Sequence, residues 1–451
     1  MNTLITKLAL SSVICSVVLA SCAGALSAPA IGPVHDSEPE LDIEAPTEVI
    51  GKIEAQSIQS PMAYFYRDGN HLIPGSGVLA AITPIEVQLE IRPAWLAGIE
   101  IPDGSAWVAV SESGDIQAIT VAAGIVNSIP VVPNHLPSGL LPTLQFDGQA
   151  IRVLASGDPQ AAPDSSPVSL SGSDRLAYVD QDGDFIVTDG TVSERLALGV
   201  LPDARLLVDE QDRVLFLGRR TDRYPHAVLG DGYEAGSILL VDTQPSLELI
   251  REIQLPEREV FEGISPIWLD VDNDGYQEIF VTVSDRDEGA YLAVFSEEGN
   301  LLARSPAIGR AYRWRHQIAV GDFLGDGQFE LAAVLTPHIG GVLEFFTWET
   351  GQLESIAEVS GVSSHRIGSR NLDMALTADI DGDQRLELVV PNPSFDVLFG
   401  FQLEGDEVFL DWEVPLGGLL STNLAAVGFE NGQLGLGLGL DNGIVRLWLP
   451  E

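Results

Sequence analysis

Over residues 62–451 the chain alternates short apolar runs with breaks of Gly, Pro, Asp and Asn, and carries little helical period. Runs at 106–110, 116–122, 150–154, 237–241 and 291–295 have the length and the β-branched or aromatic content of strands. Asp-Gly pairs beginning at 68, 103, 147 and 182 recur as hairpin-turn signals, because both residues tolerate positive φ. The pattern predicts an all-β domain.

Three of the breaks carry chemistry as well as a turn. After Trp268 and Leu269, carboxylates stand at loop positions 1, 3, 5 and 9 (Asp270, Asp272, Asp274, Glu278), with Gly275 at position 6 and Tyr276 at position 7. Calcium takes about six to eight hard oxygen ligands, so alternate acids and the position-7 backbone carbonyl can encircle it, while glycine allows the tight turn. A helical calcium loop would place glutamate at position 12. Val281 stands there instead, in a strand-like run, so this loop joins strands. The frame returns as Asp322, Asp326, Gln328 and Glu330, with Leu324 replacing the third-position acid. It returns again, with all four acids, as Asp379, Asp381, Asp383, Arg385 and Glu387, where Gln384 replaces the glycine. Asp270 to Asp322 is 52 residues and Asp322 to Asp379 is 57, the spacing of a solenoid, propeller or array.

These loops and their flanking runs resemble the FG-GAP or VCBS-type repeats of calcium-binding β-propellers. The resemblance implies a ring of four-stranded blades with Ca2+ held between strands of some blades. Weaker copies lie at 208–216, which has lost the ligand spacing, and at 427–432, which has lost the acids. Asp209 to Phe429 spans four intervals in 220 residues, or 55 each, and 390 residues divided by 55 is close to seven. Seven blades are expected; six, eight or two separate β domains stay open. The acidic stretch Asp180, Asp182, Asp184 is read as a plain hairpin, since Thr188 falls at its ninth position.

Residues 1–21 read as a bacterial lipoprotein signal, with Lys7, a short apolar core and small residues before Cys22, which becomes the lipidated N-terminus. An ordinary secretory signal with an incidental cysteine, or a short membrane anchor, is the alternative. Ala23 after the cysteine favours the outer membrane by resemblance to lipoprotein sorting. Residues 22–61 are rich in Ala, Pro, Ser and Glu and read as a flexible tether. Cys15 leaves with the signal, so the mature chain holds Cys22 alone and no disulfide.

Charge narrows the partners. The chain has 66 acids against 23 bases, and loss of Lys7 leaves 66 − 22 = 44 net negative charges. That excludes the basic footprint of a nucleic-acid binder. Arg313, Arg315 and His316 precede one motif strand, and Arg366 and Arg370 precede the next. At equivalent places in neighbouring blades they are expected to form an anion-binding face, with pairing to nearby acids as the alternative. No nucleophile elbow, zinc-protease motif, phosphate loop or dinucleotide fingerprint is present. The expectation is a monomeric, lipid-anchored calcium-binding propeller acting as a binding or scaffold module for an anionic glycan or an envelope protein. A polysaccharide-active lyase or hydrolase is the alternative.

Overall fold

In the computed structural model residues 67–450 are described, except 80–81, 138–139, 147, 171–174, 311 and 350. The expected signal, Cys22 and the tether lie outside the described residues. The elements among those residues are all strands, and none is a helix long and apolar enough to cross a membrane.

Most strands group into antiparallel units of four, all but the last built from consecutive segments, and Leu144–Phe146 pairs with Ile151–Val153 in a separate two-stranded sheet. The first is Pro93–Ile101, Gly104–Ser111, Ile116–Ala122 and Ile125–Ile129; the second runs from Val168–Ser169 to Ser193–Ala197. The third comprises Leu207–Val208, Val214–Thr221, Glu234–Asp242 and Glu248–Gln254. The fourth comprises Glu259–Leu269, Glu278–Asp285, Gly289–Ser296 and Leu301–Arg304. The fifth is Arg315–Gly321, Glu330–Leu335, Gly341–Glu349 and Gly351–Val362; the sixth is Leu376–Asp379, Glu387–Pro391, Val397–Glu404 and Glu407–Pro415. The last takes Ala425–Gly428, Leu434–Gly439 and Ile444–Trp448 from the C-terminus, and its fourth strand, Ile85–Gln88, from near the start of the described chain. Ile85 opposite Leu447 therefore closes the ring. This is a β-propeller.

Burial shows which end of each unit faces inward. Fourth strands such as Glu248–Gln254 and Glu407–Pro415 are largely exposed on alternate residues, whereas first strands such as Arg315–Gly321 are buried throughout. The sequences match that gradient: polar alternation suits an edge, and continuous apolar runs suit a strand covered on both faces. Trp107, Phe185, Phe216, Phe261, Trp268 and Phe280 fill the space between neighbouring sheets.

One segment departs from the expected pattern. Asp68 and Gly69 stand in a turn at the start of the described residues, and residues 67–79 then run along the inner edges of several units in succession. Val208 donates to Arg67 O at 2.8 Å, Trp268 to Asp68 O at 2.7 Å and Thr377 to His71 O at 2.8 Å. Leu72–Ser76 then pairs in parallel with Leu376–Asp379, and Ser76 donates to Gly432 O at 3.0 Å. Backbone groups that the inner strands would leave unpaired are satisfied this way. Gly69 holds φ +73, and a Cβ there would stand 2.2 Å from Pro266 O, so the close approach requires glycine.

Candidate functional site

The three acidic loops occupy the same turn, between the first and second strands of the fourth, fifth and sixth units. They also share a backbone conformation. Positions 4 and 6 are left-handed in each: Asn273 and Gly275, Gly325 and Gly327, Gly382 and Gln384. Gln384 thus adopts the φ of the glycine it replaces, at +74. In each loop the position-9 glutamate accepts the position-2 N–H, from Val271 at 3.2 Å, Phe323 at 3.0 Å and Ile380 at 2.6 Å. The position-5 aspartate accepts the position-7 N–H, from Tyr276 at 2.8 Å, Gln328 at 2.9 Å and Arg385 at 2.8 Å. These bonds point the carboxylates inward while the position-7 side chains leave: Tyr276 is exposed, and Arg385 pairs with Glu404.

The loops differ in how many oxygens converge. Asp379, Asp381, Asp383 and Glu387 bring ligand atoms within 4.8 Å of one another, as do Asp270, Asp272 and Asp274. Gln402 braces the former by donating to Asp383 at 3.0 Å and to Glu387 at 2.8 Å. Among the described residues the Asp322 loop forms no such group, in keeping with Leu324 at its third position. Burial, reinforced by Asp272, Asp270 and Asp274, pushes Glu278 up to about 7. Burial with Asp326 and Asp322 does the same to Glu330, and burial with Asp381 and Asp383 brings Glu387 to about 8. Asp270 also keeps one buried oxygen without a hydrogen-bond donor. Inward-facing hard oxygens that repel one another, one of them unbonded, fit a divalent cation.

The weak copies show another solution. At the equivalent turn of the third unit, Arg213 Nε lies 2.5 Å from buried Asp209, the guanidinium also grips Glu297, and it sits 5.5 Å over the Trp268 ring. A side-chain cation neutralises this turn. Likewise Arg195 reaches Asp180 at 3.4 Å and Asp184 at 3.1 Å, and Gly183 takes φ +83 in the plain hairpin expected there.

The arginines and histidines lie at the other ends of the strands, and here the sequence expectation is corrected. Arg315 is buried and forked onto Glu344 at 2.9 and 3.0 Å, and Arg370 binds Asp203 at 2.8 Å and Asp231 at 3.0 Å. His316 is buried, stacked on Trp314 at 5.0 Å and bonded to Ser364 at 2.9 Å; burial, followed by the charges of His71 and His365, holds it well below the usual imidazole range. Arg366 donates to Leu420 O at 2.6 Å and lies 4.1 Å over the Phe395 ring, and Arg313 donates to Ile308 O. These five groups are engaged in the fold itself and do not form one cationic patch. Near them His226, which with Tyr224 stands out in the sequence beside Arg219, Arg220 and Arg223, pairs with buried Glu262 and packs against Tyr312, partners that the sequence order does not show. The members of this group come from three consecutive units, so packing between neighbouring units brings them together.

A family model and one solved structure agree with this architecture. Residues 270–333 match the model of the FG-GAP-like repeat, covering the first and second acidic loops. Quinohemoprotein alcohol dehydrogenase ADHIIG of Pseudomonas putida HK5 is similar in fold, with a TM-score of 0.53 and 10% identity over 86% of this chain and 80% of that one. A chain from a mitotic checkpoint complex aligns with a TM-score of 0.40 and 13% identity over 81% of this chain and 95% of that one. No curated protein matches the chain.

Proposed function

We propose that the chain is a seven-bladed, calcium-binding propeller, exported and tethered to the bacterial outer membrane through Cys22, that acts as a binding or scaffold module for a glycan or an envelope protein. One observation carries this reading. Three consecutive units repeat one inward-pointing acidic turn with a common hydrogen-bond frame, and in two of them the acid oxygens converge within 4.8 Å. Oxygens so placed destabilise one another unless a cation joins them. The third unit supports the same logic, because Arg213 of its turn reaches Asp209, whereas Arg385 of the sixth unit's turn leaves its acids for Glu404.

Asp270, Asp272, Asp274 and Glu278, with the Tyr276 carbonyl, would hold one ion. Asp379, Asp381, Asp383 and Glu387, with the Arg385 carbonyl, would hold a second. Asp322, Asp326, Glu330 and the Gln328 carbonyl would hold a third more weakly. Bound calcium would cross-link first and second strands and stiffen the ring, leaving the loops at the other strand ends to meet a partner. Thermal melting in calcium and in chelator tests the reading: calcium should raise the midpoint, and Asp379→Asn with Asp383→Asn should remove a large part of that rise. Identical melting curves in calcium and chelator would contradict it.

A further inference from the structure

Opposite the acidic loops, side chains from three units meet around His226. His226 and Tyr224 stand between the second and third strands of the third unit, Glu262 on the first strand of the fourth and Ser284 on its second, and Tyr312 leads into the fifth. Glu262 is 1% exposed, and both its oxygens are used: one takes His226 Nδ1, the other the Ser284 hydroxyl. Tyr224 hydrogen-bonds Ser284 in turn. An acceptor on Nδ1 places the proton there and leaves Nε2 with its lone pair. No described residue partners Nε2, and the His226 side chain keeps 13% exposure. Beside it Tyr312 is 50% exposed, with ring centroids 5.6 Å from His226 and 5.1 Å from Tyr224. Tyr312 also holds φ +52, a conformation rarely kept by an aromatic residue without a surrounding demand.

We propose that His226 and Tyr312 form a subsite for one ring of an uncharged glycan. The inference rests on the binding-module reading above and names its ligand class. A half-exposed tyrosine ring offers a flat apolar face to the C–H side of a sugar, and an oriented imidazole nitrogen accepts a hydroxyl hydrogen. Charge decides against the anionic glycan that the arginine spacing suggested. Buried Glu262 backs His226, Asp203 and Asp231 lie in the same surroundings with Arg370 already engaged by them, and the neighbouring Arg313 and Arg223 are turned to the carbonyls of Ile308 and Glu259. A uronate entering here would meet like charge in a site of low dielectric.

Isothermal titration of the calcium-loaded full chain tests this with maltohexaose, cellohexaose and chitohexaose as probes and hexagalacturonate as the anionic comparison. At least one neutral oligomer should bind and hexagalacturonate should not. Tyr312→Ala should weaken that binding about tenfold while leaving melting and calcium uptake unchanged. Absence of binding by all three neutral oligomers, tighter binding of hexagalacturonate, or full affinity in Tyr312→Ala would each overturn the subsite. Calcium uptake is read separately, so these failures are distinct from failure of the calcium reading.

Discussion

The side-chain amide of Asn70 behaves as a strand of one residue against Val320: its Nδ2 donates to Val320 O at 2.8 Å, and its Oδ1 accepts the Val320 N–H at 3.0 Å. Both residues are buried, so no water replaces either bond. Asn70→Ala leaves two unsatisfied backbone groups and should lower stability by about 2 to 4 kcal/mol, measured by urea unfolding. Asn70→Asp should be nearly as costly, because it sets a carboxylate oxygen against a carbonyl. Wild-type stability in either variant would mean that the axial segment is not needed by the fifth unit.

Arg213 is the built-in cation of the third unit. Arg213→Met keeps the aliphatic stem over Trp268 but strips Asp209 of its partner, and should lower stability by about 3 kcal/mol at neutral pH. Asp209 is already held above the usual carboxylate range by burial, with Arg213 opposing. Without the guanidinium it rises further, so the folded state gains a proton first on acidification. The deficit of the variant should therefore shrink as pH falls. Urea unfolding at two pH values checks this, and a deficit independent of pH contradicts it.

His365 gives the opposite slope with pH. Burial is the main cause holding it at about 4, against the hydrogen bond that its Nε2 donates to Ser369 O, and the nearby His338 adds to the depression. An unfolded imidazole binds its proton near 6.5, so the folded state binds fewer protons between these values and stability falls as pH drops through that window. The wild type should lose about 2 kcal/mol more between pH 7 and pH 5 than His365→Gln. Equal losses would show that His365 is not the group responsible.

The anchor makes a separate prediction. Cys22→Ser should move the protein from the membrane fraction to the soluble exported fraction, because acyl chains would supply the strong apolar attachment. Unchanged fractionation would point to another means of attachment.

Much of this was legible in the sequence. The strands and the acidic turns are local features: period-2 or continuous apolar runs bounded by turn residues, and ligands spaced two apart, are set by neighbours along the chain. Residues 279–283, 331–335 and 388–390 duly fall in strands, and the acids of the Asp379 loop converge. What was hidden depends on ring closure. The pairing of Ile85 with Leu447 and the axial course of residues 67–79 join parts of the chain hundreds of residues apart. The arginines misled because their partners are non-local. Arg315 and Arg370 look free in sequence because Glu344, Asp203 and Asp231 are distant; the fold of one unit brings Glu344 to Arg315, and packing between units brings Asp203 and Asp231 to Arg370.

Calcium uptake tests the central claim most directly. Calorimetric titration of the chelator-treated protein should show two tighter sites and one weaker, with magnesium a poor substitute because it demands a smaller octahedral shell. Asp381→Asn with Glu387→Gln should abolish one of the tighter sites and spare the other, and Leu324→Asp should strengthen the weak one. Saturating a site at about 100 times its Kd should stabilise the fold by about 2.7 kcal/mol. The account predicts heat, stoichiometry and stabilisation together. Absence of heat and of any melting shift at millimolar calcium would contradict it.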